Sequence, residues 1–233
     1  MSLINKVAAI IDGKKDIDTV HYLEKKVNYD DGISTLNIDI EKIIPPPPKN
    51  SSNKTAQELN LISKATKSRS SSELELVKIV DSEPLSLFYS FLSGKNLDFP
   101  QNLFDEHYNV LEQYIYALKY YHNRARPEQV APYYGIEIDV LYTDTHHTPS
   151  YPSGHTMYSE LAAHVLTDKY PEYKDDFFTL SDYCGLARIL QGVHYPSDNK
   201  ASKTATNKLY KLMKGIENEK SENFPFNIKP ETK

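Results

Sequence analysis

Three short clusters concentrate the groups in this 233-residue chain that could move protons or hold an anion. The first is Lys119-x6-Arg126-Pro127, within "KYYHNRARP". The second is Pro152-Ser153-Gly154-His155, within "SYPSGHT". The third is Arg188-x5-His194-x3-Asp198. Lys119, Arg126 and Arg188 are three cations, two of them planar guanidinium forks that match phosphate oxygens. Ser153 and Gly154 fall where a helix would begin, and a helix N-terminus presents main-chain N–H groups to an anion. His155 and His194 are two groups that change charge near neutral pH. Asp198 follows His194 by four residues, so its carboxylate can take a hydrogen bond from one ring nitrogen and leave the other free to react. The inventory is a cradle for a tetrahedral oxyanion with one nucleophile and one acid, and it calls for no metal or other cofactor. Ten specified positions in these local spacings and in this order would arise by chance on the order of once in a million chains.

The elements that must position these groups read as helices. "TAQELNLISKATK" and "SSSELELVKIVDS" each open on Ser or Thr with Glu soon after, a common start signal. "PLSLFYSFLSG" is a short apolar helix expected to stop at Gly94. Phe104, Tyr108, Leu111, Ile115 and Leu118 recur every three or four residues and mark one buried face. Met157, Leu161, Val165 and Leu166 repeat that pattern, as do Leu180, Tyr183, Cys184, Ala187 and Leu190. Ala205, Leu209, Leu212 and Met213 mark a last helix, with Pro196 as a possible earlier start. The best strand candidate is "YGIEIDVLY" at 134–142, which reads equally as an extended loop. Val7–Ile11 is a short apolar patch without strong period, and the four prolines at 45–48 favour a stiff extended segment. The expected organisation is an N-terminal arm over 1–44, one all-α helical domain over 45–217 and a polar C-terminal tail over 218–233.

Composition sets the outer limits. Apolar residues make up 39% and charged residues 25%, ordinary globular usage, and the net charge of −5 argues against a nucleic-acid binder. Cys184 is the single cysteine, so no internal disulfide forms, and its apolar surroundings read as packing rather than catalysis. The start "MSLINKVAAIIDGKKD" lacks the apolar stretch of a signal peptide, and no run nears the ~18 apolar residues of a membrane span. The sequence as given therefore reads as cytoplasmic, without integral membrane association. Adjacent histidines rarely both face one ion, so His146-His147 is not assigned to a metal. His21, His107, His122 and His164 have no partner visible in sequence. Tyrosine is abundant, with 18 residues. The rings around 114–121 and 133–134 are expected to pack helices or line a pocket rim.

The three clusters resemble the signature of the type 2 phosphatidic acid phosphatase superfamily, which also holds the vanadium haloperoxidases and the bacterial class A non-specific acid phosphatases. "SYPSGHT", the "PPPP" run and "KYYHNRARP" are most similar to the soluble class A enzymes, over roughly residues 43–215. The resemblance implies an all-α helical bundle with its site at one end and a small phosphorylated substrate. It implies that His194 attacks phosphorus to form a phosphohistidine, with Asp198 orienting its ring and His155 protonating the leaving oxygen. Lys119, Arg126, Arg188 and the Ser153–Gly154 backbone would hold the remaining oxygens. The implied activity is that of a metal-independent phosphomonoesterase. A vanadate-dependent haloperoxidase, or a non-catalytic module binding phosphate or a headgroup, is the alternative, and a homo-oligomer stays open. One departure stands out: the family usually has Ser before the third-motif Arg, and this chain has Ala187.

Overall fold

The computed structural model describes residues 3–15, 36, 38–143 and 147–222. His21, His146 and residues 223–233 of the expected tail lie outside them. Among the described residues the architecture is a single helical domain without strands. The α-helices are α1 (Leu3–Asp12), α2 (Asn53–Lys67), α3 (Ser71–Ser82), α4 (Ser86–Lys95), α5 (Gln101–His122), α6 (Pro127–Val130), α7 (Gly154–Lys169), α8 (Lys174–Leu190) and α9 (Pro196–Glu222). Short 3₁₀ turns occupy Ile40–Lys42, Ala131–Tyr134 and Pro171–Tyr173.

Helix α7 is the axis of the bundle and packs against α5, α8 and α9. Met157, Leu161, Ala162, Ala163, Val165 and Leu166 are all buried, so apolar residues cover most of its circumference. A helix that is apolar nearly all round belongs inside a core. Its few buried polar groups are matched: Ser181 donates to Glu160 Oε2 at 2.6 Å. A smaller cluster joins Ile11, Leu59, Ile62, Ala125, Val130 and Tyr195 behind the site.

The local signals explain most boundaries. Ser52 caps α2 by accepting from Thr55 N–H at 3.2 Å, and Ser70 and Glu73 close a capping box on α3. Helix α4 runs past Gly94 and ends on Asn96, whose left-handed backbone (φ 56, ψ 45) lets its N–H reach the Leu92 and Ser93 carbonyls. Asn visits that region at low cost, so the stop moves two residues beyond the glycine. The 134–142 segment is not a strand. Its Leu141 N–H goes to the Gln191 carbonyl, its Asp139 N–H to Thr66 Oγ1, and its Glu137 carbonyl accepts from Ser63 Oγ. Helix ends and side chains thus satisfy a backbone that would otherwise need a neighbouring strand.

The apolar patch at Val7–Ile11 lies in α1, a helix the sequence does not announce. Asn50 donates to the Ile11 and Lys14 carbonyls at 3.0 and 2.9 Å, and Ser51 bonds Asp12 through both N–H and Oγ. The end of α1 is therefore held by residues that directly follow the prolines.

Candidate active site

A cavity of about 510 Å³ opens between α3, α5 and α7, with Lys119, Arg126, Gly154, His155 and His194 on its wall. Lys119 enters from the last turn of α5 and donates to the Pro149 carbonyl at 2.5 Å. Arg126 comes from the turn that follows. Its Nε and Nη2 donate to the Thr148 carbonyl, and its Nη1 donates to the Val193 carbonyl at 2.8 Å. That same Nη1 lies 3.2 Å from His194 Nε2. Arg126 and Arg188 are each 1% exposed, so neither fork waves in solvent; Arg126 lines the cavity, whereas Arg188 lies behind it and reaches the wall through Asp81.

The start of α7 supplies the helix terminus. Ser153 is its N-cap, and its Oγ accepts from the Thr156 N–H and hydroxyl. Ser153 N–H itself donates to Ser202 Oγ at 2.8 Å, and Ser153 is fully buried. The expected pair of backbone donors at Ser153 and Gly154 is thus displaced by one residue. Gly154 and His155 occupy the first turn, where N–H groups lack intrahelical acceptors, and both line the cavity. A Cβ on Gly154 would meet Ile115 Cγ2 at 3.5 Å and Lys119 Cε at 3.8 Å, ordinary van der Waals contact, so side-chain packing alone does not demand glycine there.

His194 follows the turn at Gly192 (φ 87) that ends α8. Asp198 occupies the first turn of α9, where its Oδ2 accepts from Tyr195 N–H at 2.9 Å and lies 3.1 Å from His194 Nδ1. The carboxylate therefore caps its own helix and clamps the histidine in one bond pattern. With Nδ1–H pointing at Asp198, Nε2 is the lone-pair nitrogen, and Nε2 is the atom beside Arg126.

Three partners of this set escape a local reading. Arg124 donates to Asp198 Oδ1 at 2.6 Å and to Ser197 Oγ, and its guanidinium lies 3.7 Å from the Tyr195 ring centre. Glu58 on α2 accepts from Ser197 N–H and Oγ and pairs with Arg124 at 3.6 Å. Asp81 on α3 accepts from Arg188 Nη1 at 2.6 Å. Arg124 carries a sequence signal, since it stands two residues before Arg126. Glu58 and Asp81 are separated from their partners by long stretches of chain and carry none.

The electrostatics follow from burial among cations. Burial, then Arg188, Lys119 and Arg126, hold the His155 pKa well below the usual histidine value. Burial, Arg126 and Lys119 do the same to His194. Both rings are therefore neutral in the ligand-free protein at neutral pH. Burial pushes Asp198 up while Arg124 and Tyr195 N–H pull the other way. Burial also raises Asp81, but Arg188, Thr143 and Gln191 together outweigh it and hold that carboxyl below its usual range. His147 lies on the cavity wall, whereas the His107 and His164 rings meet Tyr210 within the bundle. Cys184 is buried, its thiol pushed up to about 12 by burial. Among the described residues no three His, Cys, Asp or Glu side chains converge as a metal set.

Residues 108–204 match the family model of the PAP2 superfamily, a span that contains all three clusters. No curated protein matches the chain. Among solved structures the chain is similar to the first transmembrane PAP2 type phosphatidylglycerolphosphate phosphatase from Bacillus subtilis. The TM-score is 0.52 and the identity 16%, over 88% of this chain and 98% of that one. That likeness speaks for the fold alone. No helix among the described residues is long and apolar enough to cross a membrane. The segment that bears all three clusters, residues 108–204, is thus matched to the PAP2 superfamily, and the helical bundle around it shares the fold of a PAP2 type structure.

Proposed function

We propose that the chain is a soluble, metal-independent phosphatase that hydrolyses phosphate monoesters through a phosphohistidine on His194. The observation that carries this reading is the placement of His194, with Nδ1 3.1 Å from Asp198 Oδ2 and Nε2 3.2 Å from the buried Arg126 guanidinium. In the first step Nε2 attacks phosphorus, the ester P–O bond breaks, and His155 gives its proton to the departing oxygen. In the second, His155 takes a proton from water, the oxygen attacks phosphorus, and the N–P bond breaks to release inorganic phosphate and neutral His194. Lys119, Arg126, Arg188 and the N–H groups at the start of α7 balance charge on the three other oxygens. A dianionic ester beside His155 also offsets the cations that depress its pKa, so substrate binding itself helps to protonate the acid.

The test combines trapping with inhibition. Brief acid-free quenching of a ³²P-labelled ester should leave label on the wild-type protein and none on His194→Ala. Turnover should persist in EDTA and fall with vanadate, which adopts the trigonal-bipyramidal shape of the transferred group. Label on His194→Ala, or activity restored only by Zn²⁺ or Mg²⁺, would overturn the reading.

A further inference from the structure

The cavity changes sign between floor and mouth. Its floor is cationic, with Lys119, Arg126 and the start of α7. Its upper wall carries Glu83, Tyr108, Glu112, Tyr116 and Tyr158. Along α5, Tyr108, Glu112 and Tyr116 recur every four residues and lead down to Lys119, so one helical stripe forms a ramp into the phosphate end. At 1.5 Å per residue, Tyr116 lies about 5 Å and Glu112 about 10 Å up the axis from Lys119.

The acids of this mouth are open to a partner. Neither Glu83 nor Glu112 is ion-paired within the described residues; Glu83 accepts from Leu85 N–H and Glu112 from Tyr108 hydroxyl, each at 3.1 Å. The Tyr108 and Tyr158 rings meet edge to face, their centres 4.6 Å apart. Burial and then Glu83 raise the Tyr158 pKa to about 12; burial and then Glu112 raise Tyr116. Those phenols stay neutral and their rings sit in a negative field. Electron-rich ring faces beside unpaired carboxylates attract a cation and repel an anion.

We infer that the leaving group of the substrate is a short alcohol bearing an ammonium group, bound by Glu112, Tyr116 and Tyr158 while its phosphate occupies the cationic floor. This inference deepens the phosphatase reading and rests on it for the catalytic step, though not for binding. With bonds of about 1.5 Å, a two-carbon spacer puts nitrogen about 5 Å from phosphorus, which matches the rise from Lys119 to Tyr116 and leaves Glu112 one turn above. A leaving group with a second phosphate would bring its charge against Glu83 and Glu112 and is disfavoured.

The experiment separates binding from turnover by exchanging ammonium for methyl at constant shape. Calorimetry on the unmodified protein compares 3-aminopropylphosphonate with butylphosphonate, neither of which can be hydrolysed. Phosphate release compares 2-aminoethyl phosphate with propyl phosphate. The ammonium member of each pair should be favoured by about two- to thirtyfold, in affinity or in kcat/KM. That ratio should shrink with added salt and collapse toward one in Glu112→Gln. Equal binding of the two phosphonates, or a ratio unmoved by Glu112→Gln, overturns the inference. If the aminophosphonate binds preferentially while no ester is hydrolysed, the ammonium site stands and the phosphatase reading falls.

Discussion

Arg124 Nη1 reaches Asp198 Oδ1 at 2.6 Å, on the opposite oxygen from the one that holds His194. Both side chains are essentially without exposure, so the carboxylate is gripped from two sides in a site that water does not screen. Arg124 is in turn stacked on Tyr195 and anchored by Ser197 and Glu58. The orientation of the His194 ring thus depends on a chain of groups that extends from Asp198 away from the cavity.

Arg124→Lys should keep the charge and lose the fork, the stacking and the bond to Ser197. The expected result is a loss of about tenfold or more in kcat with little change in KM, the cost of one charge-assisted bond reached through Asp198. Arg124→Ala should also destabilise the fold by about 3–5 kcal/mol, because Asp198 is left buried and uncompensated. Kinetics with an activated ester and urea unfolding at pH 7 measure the two effects. An Arg124→Lys protein with wild-type kcat would show that Asp198 needs no second partner.

The contrast with the sequence reading is physical. Lys119, Arg126, Gly154, His155, His194 and Asp198 were legible because each cluster is folded by one turn or one helix start, where spacing alone fixes geometry. Pro196 at the start of α9 places Asp198 in the first turn, and that first turn brings its carboxylate under His194. Glu58 and Asp81 were not legible, since their roles exist only when α2 and α3 pack against distant loops and helices. Helix α1 was hidden for a related reason: its end is tied down by Asn50 and Ser51, far along the chain. Ser153 shows the limit of local reading from the other side, because Ser202 on α9 claims its N–H.

Activity should favour acid. His194 has a pKa held well below the usual histidine range, so its ring stays unprotonated as pH falls, as the proposed nucleophile requires. His155 has to carry a proton to act as acid, and its pKa is lowered too, by burial and the surrounding cations. The alkaline limb of kcat/KM, which reports the free enzyme, should therefore lie below about pH 6.5, the ordinary histidine value, for an ester with a poor leaving group. His155→Ala should lose that limb and slow alkyl esters far more than 4-nitrophenyl phosphate. A rate constant that stays flat to pH 9 for alkyl esters would contradict this assignment of the acid.

Stability should fall in the same pH range for a separate reason. His164 is packed between Phe178 and Tyr210, its Nε2 has no hydrogen-bond partner, and burial lowers its pKa to about 4. His122 is also lowered to about 4, by burial and then by Lys15. For each, the unfolded chain takes up a proton near pH 6.5 that the folded state refuses until about pH 4. The stability they confer is complete above pH 6.5 and is lost between pH 6.5 and 4, with a slope of at most about 1.4 kcal/mol per pH unit per group. His164→Phe keeps the ring stack and removes the proton site. The decline in urea midpoint from pH 7 to pH 5 should be shallower in that variant, and an unchanged slope would place the proton uptake elsewhere.

The residue before Arg188 is alanine in this chain, where serine is usual in the superfamily. Ala187 is 1% exposed and packs into the main core cluster, and it is not among the residues on the cavity wall. A hydroxyl introduced there has two possible acceptors: a phosphoryl oxygen, if the rotamer turns toward the cavity, or the carbonyl one turn earlier in α8. A neutral hydrogen bond contributes about 0.5–1.5 kcal/mol, or roughly a factor of two to ten in kcat/KM. Ala187→Ser should therefore raise kcat/KM for a simple phosphate ester by no more than about tenfold. Arg188→Ala behaves differently, because it removes a buried fork and leaves Asp81 without its partner at 2.6 Å. Its kcat/KM should fall by at least two orders of magnitude, the scale for losing a preorganised donor to the transferred group. Measured at one pH and one salt concentration, the two variants bracket what this stretch of α8 contributes. A severe loss of activity in a folded Ala187→Ser protein would mean that the wall has been rebuilt around the methyl group, with Arg188 positioned by that packing rather than by Asp81 alone.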